Sequence, residues 1–512
     1  MPYSLPTHEI PMNSNMRQWW IFFSTSLLIV LMNIDMTGVN LALTSIAQDL
    51  RLSIFSVQSI ISAYLIGGAA LVTLGGLLGD LYGRKKIFLT GTALFTLASI
   101  SVGLAHTDWV ILLGRLFQGF GAALSWPLAI VIVREAFVGR EGFAMGLITA
   151  VMGISMSIGT PLAGLILHYL DWRWIFFINI PVGVLVFAVG AFCLPPKSDE
   201  HTVTSFHLPS AVVLVVGLLL FVFALSEMSH FGLTSLRIGI SLILGIALLA
   251  GFAHWQTRLS NPLIAIKLFK QSNLICCFIV RFLWQVIWIA AFMVLSLLLQ
   301  NILDYPSTKA SLYFLAITGA FACVAPFGGR ISERYRARSL ISMAFILYAV
   351  SFAGFSFSAY HLDERIILVL LMLFGVGTGI GMPALMNETL RIAPAERRGM
   401  VSGILYGMNF FGGAIGAILV GALINYQATR SLLANLSAQG VQLATSAQQL
   451  LINVATGVQN ASELNIQFDQ AQAHIFIPLV KHSFLQAFSL VMLSFVAICV
   501  ANLVLARWIR EK

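Results

Sequence analysis

Three ionisable side chains stand inside stretches of sequence that are otherwise apolar: Asp35, Arg115 and Arg281. At the centre of a bilayer such a residue costs about 2.5–3.5 kcal/mol on insertion scales, so each needs a partner or a water-filled path. Asp35 and Arg115 lie about seven and six residues from the outer ends of their stretches, which at about 1.5 Å per helical residue buries both about 10 Å deep, close enough to pair. One reading is a coupling site, in which Asp35 binds and releases a proton and Arg115 favours its charged form until substrate or a conformational change separates them. The other is a permanent salt bridge that locks two helices together.

Arg281 suggests different chemistry. Trp284, Gln285, Trp288 and Phe292 follow it at spacings that place all five on one helix face. A cation flanked by aromatic rings can hold an anionic or hydrogen-bonding substrate; the alternative is an arginine holding helix carbonyls with tryptophans as packing. Asn33, Thr37 and Asn40 share a face opposite Asp35, Tyr406, Asn409 and Phe410 cluster later in the chain, and Trp126 precedes Pro127. These polar groups fit either a cavity lining or hydrogen bonds between helices.

The elements that must position these residues are transmembrane helices. The 512 residues are 59% hydrophobic and only 10% charged, against roughly 25% charged in soluble domains, and apolar runs long enough to cross a bilayer recur throughout. We read fourteen spans, beginning near Trp19, Val57, Ile87, Trp109, Gly142, Trp174, Leu208, Ile238, Asn273, Ser311, Ser339, Ile366, Met400 and Ser483. The expected organisation is an all-α polytopic membrane protein with a tail at 1–18, a six-helix bundle at 19–194, two inserted spans at 195–271, and a second six-helix bundle at 272–507. The second bundle includes an outward loop at 426–481, and 508–512 form a second tail. Of the 29 Lys and Arg, 20 fall on the side of the termini, 7 on the opposite side and 2 inside spans. The positive-inside rule then predicts cytoplasmic termini in a cytoplasmic (inner) membrane protein.

Other classes are disfavoured. The net charge of +9 sits in short loops rather than in a patch for nucleic acid. The cysteines Cys193, Cys276, Cys277, Cys323 and Cys499 lie in apolar spans without C-x-x-C spacing, so no metal or disulfide framework is expected. The chain has no P-loop and no His-Glu-x-x-His motif, and no cofactor or enzymatic activity is predicted. The first apolar run is too long for a signal-peptide core and is expected to remain in the mature protein.

Two segments half a chain apart align. Gly76-Leu-Leu-Gly-Asp80-Leu-Tyr-Gly83-Arg84-Lys85 matches Gly329-Arg-Ile-Ser-Glu333-Arg334-Tyr-Arg-Ala-Arg338, and Gly119-x-Gly121 before Trp126-Pro127 matches Gly375-x-Gly377 before Met382-Pro383. The chain therefore resembles the major facilitator superfamily, in its fourteen-span drug:H⁺ antiporter branch. Gly76 to Lys85 is similar to the family's loop signature, Arg115-x-x-Gln118-Gly119-x-Gly121-Ala122-Ala123 to its fourth-span signature, and Asp35-x-Thr37-x-Val39-Asn40-x-Ala42-Leu43 to the branch's first span. Trp172-Arg173-Trp174-Ile-Phe-Phe-Ile-Asn179-Ile-Pro181-Val-Gly183 resembles its sixth.

The resemblance implies a proton-coupled secondary transporter with Asp35 and Arg115 as the coupling pair and a gating latch built on Gly76, Asp80, Gly83, Arg84, Glu333 and Arg334. Leu81 stands where the family usually has Arg, and the antiporter signature of the fifth span reads Gly159-Thr160-Pro161, with its proline displaced by one residue. Direction is open on these residues. The expectation is multidrug efflux, or export of an anionic or zwitterionic metabolite such as a siderophore; proton-coupled import and a passive channel are the alternatives. The expected partners are a small-molecule substrate, protons and the lipid bilayer. A periplasmic accessory partner is compatible with these residues but not read from them.

Overall fold

The computed structural model describes residues 14–50, 54–195, 207–231, 235–259, 262–264, 271–358, 363–438, 445–456, 464, 468 and 470–509. Residues 1–13 of the expected tail, parts of the 426–481 interval, and Arg51, Lys197, Lys267, Lys270, Arg510 and Lys512 from the charge count lie outside them.

The described elements are helical, as lipid demands of a chain whose backbone polar groups must be satisfied within each segment. In chain order they are α1 (Ser14–Asp49), α2 (Ile54–Tyr82), α3 (Arg84–Gly103), α4 (Asp108–Ala136), α5 (Glu141–Tyr169), α6 (Trp174–Phe177), α7 (Asn179–Cys193), α8 (Leu208–Phe231) and α9 (Leu236–Arg258). There follow α10 (Ser272–Leu297), α11 (Ser307–Ile331), α12 (Ala337–Ser358), α13 (Glu364–Ile392), α14 (Arg398–Ala438), α15 (Thr445–Ala455) and α16 (Gln470–Arg507). Fourteen of the segments are long and apolar enough to span a membrane, with α6 and α7 together making the sixth. An even number of crossings leaves both chain ends on one side, here termed the terminal side.

The internal repeat is a repeat of packing. A Cβ on Gly119 would lie 2.3 Å from the Tyr64 carbonyl of α2 and one on Gly121 2.6 Å from the Phe95 nitrogen of α3. In the second half a Cβ on Gly375 would lie 2.2 Å from the Ile317 carbonyl of α11 and one on Gly377 2.9 Å from the Ala344 carbonyl of α12. In each half, the fourth span thus packs its two glycines against the second and third spans, at distances no side chain permits.

The halves meet along α2 with α14 and α5 with α11. The contacts are tightest toward the terminal side: a Cβ on Gly76 would stand 1.9 Å from the Gly399 carbonyl, and one on Gly142 would stand 2.5 Å from the Gly329 carbonyl. The molecule is shut on that side. Helix α8 packs on α2 and touches α14, lying beside the seam, and α9 pairs chiefly with α8.

Helix α14 is 41 residues long, about 61 Å at 1.5 Å per residue and roughly twice a bilayer's hydrocarbon thickness. It therefore runs past Tyr426 and out of the membrane, where its end packs with α15 and the start of α16 through Leu432, Leu451, Val454, Phe476 and Val480.

Gly399→Ala should push α2 and α14 apart, since overpacking costs about 1–3 kcal/mol. The expected result is several-fold faster maleimide labelling of a cysteine introduced at buried Ser402, measured on solubilised protein with Cys323 replaced by serine.

Candidate functional site: a buried acid, a polar seam and two latches

Asp35 is fully buried and Arg115 is 2% exposed. Arg115 Nη1 lies 2.5 Å from Asp35 Oδ2, donates to Gln118 Oε1 at 2.8 Å and, through Nε, to the Ile60 carbonyl at 3.4 Å. Its guanidinium stacks 4.4 Å from the Tyr64 ring centroid. The second carboxylate oxygen, Oδ1, accepts from Asn179 Nδ2 at 3.0 Å and from Gln118 Nε2 at 3.3 Å. Both amides also donate to Ser99 Oγ, whose own hydroxyl donates to the Phe95 carbonyl. Helices α1, α3, α4 and α7 each supply a member, and every group facing the acid is a donor, an arrangement suited to a carboxylate.

Sequence reasoning placed Asp35 and Arg115 close enough to pair, and they do. Gln118 and Asn179 stood inside quoted motifs without a role, and Ser99 was not singled out. Gln118 sits three residues after Arg115, on the same helix face, and that spacing was the available signal.

At the seam between the halves, Tyr406 of α14 packs its ring 5.7 Å from that of Trp126 on α4, and Arg281 of α10 is close enough to the Tyr406 and Tyr348 phenols to interact with them electrostatically. Arg281 Nε and Asn409 Oδ1 are buried without a hydrogen-bond partner among the described residues, while the Trp126 indole N–H and the Tyr406 hydroxyl lie within reach of one another. Arg281 is 3% exposed and, in the same residues, has no ion pair. A buried charge without a partner is costly.

Not every residue of the expected binding face is there. Trp284 is fully buried in packing against Phe345, Tyr348 and Gly381, and Trp288 packs on Phe321, Phe374 and Phe292. Gln285 lies against Gly412 and Gly413. Asn33 is tied to Ser155 of α5 at 3.0 Å, while exposed Asn40 donates to the Met36 carbonyl of its own helix.

The latches repeat across the halves. Asp80 accepts the Gly399 and Met400 N–H groups at 3.0 and 2.8 Å, capping the start of α14. Glu333 accepts the Phe143 N–H at 2.8 Å, capping the start of α5. Each half thus places a carboxylate at the positive end of a helix in the other. Gly83, at φ +100°, makes the turn that brings Arg84 back onto Asp80; Arg84 also reaches Glu135, which the sequence reading missed, and the Ala395 carbonyl. Glu388, at the end of α13, is paired with Arg391. Arg334 lines a terminal-side cavity of about 480 Å³ with Arg140, Arg330 and Glu333. On the other side, Asp49 accepts from Trp172 Nε1 at 3.1 Å and pairs with Arg173 at 2.9 Å; the indole hydrogen bond and the neighbouring guanidinium hold this carboxyl below its ordinary range.

Arg115→Leu should lower stability by about 3–5 kcal/mol, the usual effect of stranding a buried charge, and Asp35→Leu/Arg115→Leu should be less damaged than either single variant in thermal unfolding. Asp80→Asn should weaken the shut state by about 0.3–2 kcal/mol, or roughly 2- to 30-fold in population. Spin-label distances across the terminal side, which should gain a longer component, check this.

The profile of the Major Facilitator Superfamily matches residues 23–417. The chain is 31% identical over 440 residues to the puromycin resistance protein pur8 of Streptomyces alboniger, covering 84% of this chain and 86% of that protein. It is 29% identical over 395 residues to the cephamycin export protein CmcT of Amycolatopsis lactamdurans, covering 75% and 80%. The fold is shared with the human organic anion transporter MFSD10, with a TM-score of 0.59 at 13% identity over 97% of this chain and 100% of that one. Family profile, relatives and fold agree: the chain belongs to the Major Facilitator Superfamily and is a multi-pass membrane transporter rather than an enzyme.

Proposed function

We propose that this transporter exports small organic molecules across the cytoplasmic membrane in exchange for protons. The observation that carries the reading is the buried Asp35–Arg115 pair, a titratable acid held inside a span where only a partner or a function would keep it. The names of the relatives favour export: besides puromycin resistance and cephamycin export, a Streptomyces glaucescens protein for tetracenomycin C resistance and export is 27% identical over 409 residues, covering 80% of this chain and 76% of that protein.

With the termini in the cytoplasm, the side shut by the Gly76–Gly399 and Gly142–Gly329 contacts is the cytoplasmic one. Asp35, held as a carboxylate by its donors, is the base that takes up a proton from outside once water reaches it. Protonation removes the charge that holds Arg115, and loosening of the pair favours reopening toward the cytoplasm. There, substrate binding and proton release restore the pair, and the latches of Asp80 and Glu333 re-form as the molecule turns outward again.

The substrate seat is the seam beside Trp126 and Tyr406, where Arg281 and Asn409 present unpartnered polar atoms. Its cation, with no carboxylate paired to it among the described residues, favours a molecule bearing an anionic or zwitterionic group, a siderophore or acidic antibiotic among them.

Expression in a drug-sensitive bacterial host should raise resistance to a carboxylate-bearing antibiotic such as a cephamycin, and Asp35→Asn should remove the protection at equal membrane abundance. Full protection by Asp35→Asn would contradict the coupling role. Arg281→Gln should raise the KM for a carboxylate-bearing substrate about tenfold or more, the 1.5–3 kcal/mol of a charged hydrogen bond, and change that for its methyl ester little.

A further inference from the structure

The Asn179 side chain makes an unequal set of contacts. It is fully buried, and its Nδ2 donates to Asp35 Oδ1 at 3.0 Å and to Ser99 Oγ at 3.2 Å, while its Oδ1 has no partner among the described residues. Ser99 fixes this orientation. Its hydroxyl proton is committed to the Phe95 carbonyl at 2.8 Å, so its oxygen can only accept, and the neighbouring amides of Gln118 and Asn179 must turn their nitrogens toward it. Gln118 satisfies its own carbonyl with Arg115 at 2.8 Å. Asn179 does not satisfy its carbonyl, and the cost of an empty buried acceptor is normally avoided.

Among the titratable groups, Asp35 meets Arg115 from α4, with Tyr64 of α2 stacked behind the guanidinium. Helices α3 and α7 bring Ser99 and Asn179, and α5 meets α1 at Asn33 through Ser155. A carboxylic acid formed at Asp35 therefore has an O–H to place amid donors. The empty acceptor beside it is the Asn179 carbonyl.

We propose that Asn179 is the positioning residue for the transported proton. When Asp35 takes a proton from the aqueous phase, the Asn179 amide turns about its terminal torsion so that Oδ1 replaces Nδ2 against the carboxyl and accepts its O–H. The Ser99 hydroxyl then swings from the Phe95 carbonyl to donate to the same oxygen. When the proton leaves to water, both groups return. One new O–H bond forms on Asp35 and only hydrogen bonds rearrange elsewhere. The role rests on the coupling function proposed for Asp35, and it gives a purpose to the asparagine of the Trp172–Gly183 motif.

Infrared titration of the purified full-length protein tests it without a substrate. The carboxyl band of Asp35 is the one present in wild type and absent in Asp35→Asn. Asn179→Leu should move that band to higher frequency, because its O–H loses its acceptor. Asn179→Asp, which keeps an acceptor at the same reach, should leave it at the hydrogen-bonded frequency when referenced to the same variant carrying Asp35→Asn. If the leucine protein fails gel filtration, the aspartate variant alone decides. A wild-type frequency in Asn179→Leu, or a raised one in Asn179→Asp, overturns the proposal. Absence of any Asp35 band in wild type overturns instead the proton-binding role on which it rests.

Discussion

A charge inside an apolar span is tolerated only where the fold brings it a partner, and this constraint organises the molecule. Asp35 and Arg115 come from different helices and meet because α1 and α4 pack in one bundle, with α3 and α7 adding the polar groups that surround the acid. Taking either charge away strands the other, so the pair is at once a structural tie and a chemical element. Arg281 is the exception. It is buried, with its Nε unpartnered and no ion pair among the described residues, and it stands at the seam between the two halves.

The same logic sets the latches. Asp80 and Glu333 occupy matching positions in the two halves, and each caps a helix of the opposite half. Neither half can move away without exposing both a carboxylate and the unsatisfied N–H groups of a helix start. The glycines beside them, Gly76 with Gly399 and Gly142 with Gly329, let the backbones come close enough for those bonds to form. Because these bonds are individually modest, they can be broken and remade during a transport cycle.

Much of this was legible in the chain itself. Apolar length revealed fourteen crossings, and the paired Gly and acidic motifs revealed two halves whose equivalent residues make equivalent contacts. What periodicity could not say was which neighbour each face would meet. Arg281 and Trp284 share a helix face, yet Trp284 is enclosed by Phe345 and Tyr348 of α12 while Arg281 lies within electrostatic reach of both Tyr348 and, across the seam, Tyr406. Three residues turn a helix through about 300°, leaving neighbours on one face about 60° apart, and that angle separates seam from core. Asn33 was likewise drawn to Ser155 on α5, a partner fixed by tertiary packing alone. Ser99, a small hydroxyl in an apolar helix, carried no signal beyond its polarity.

In the proposed exchange, substrate and proton compete through Asp35. The most direct measurement is proton release from purified protein in weakly buffered solution on addition of a transported compound, read with a pH-sensitive dye. Substrate should expel protons from the wild-type protein and none from Asp35→Asn, although the variant still binds the compound. Equal release from both proteins would place the coupling proton on another group and contradict it.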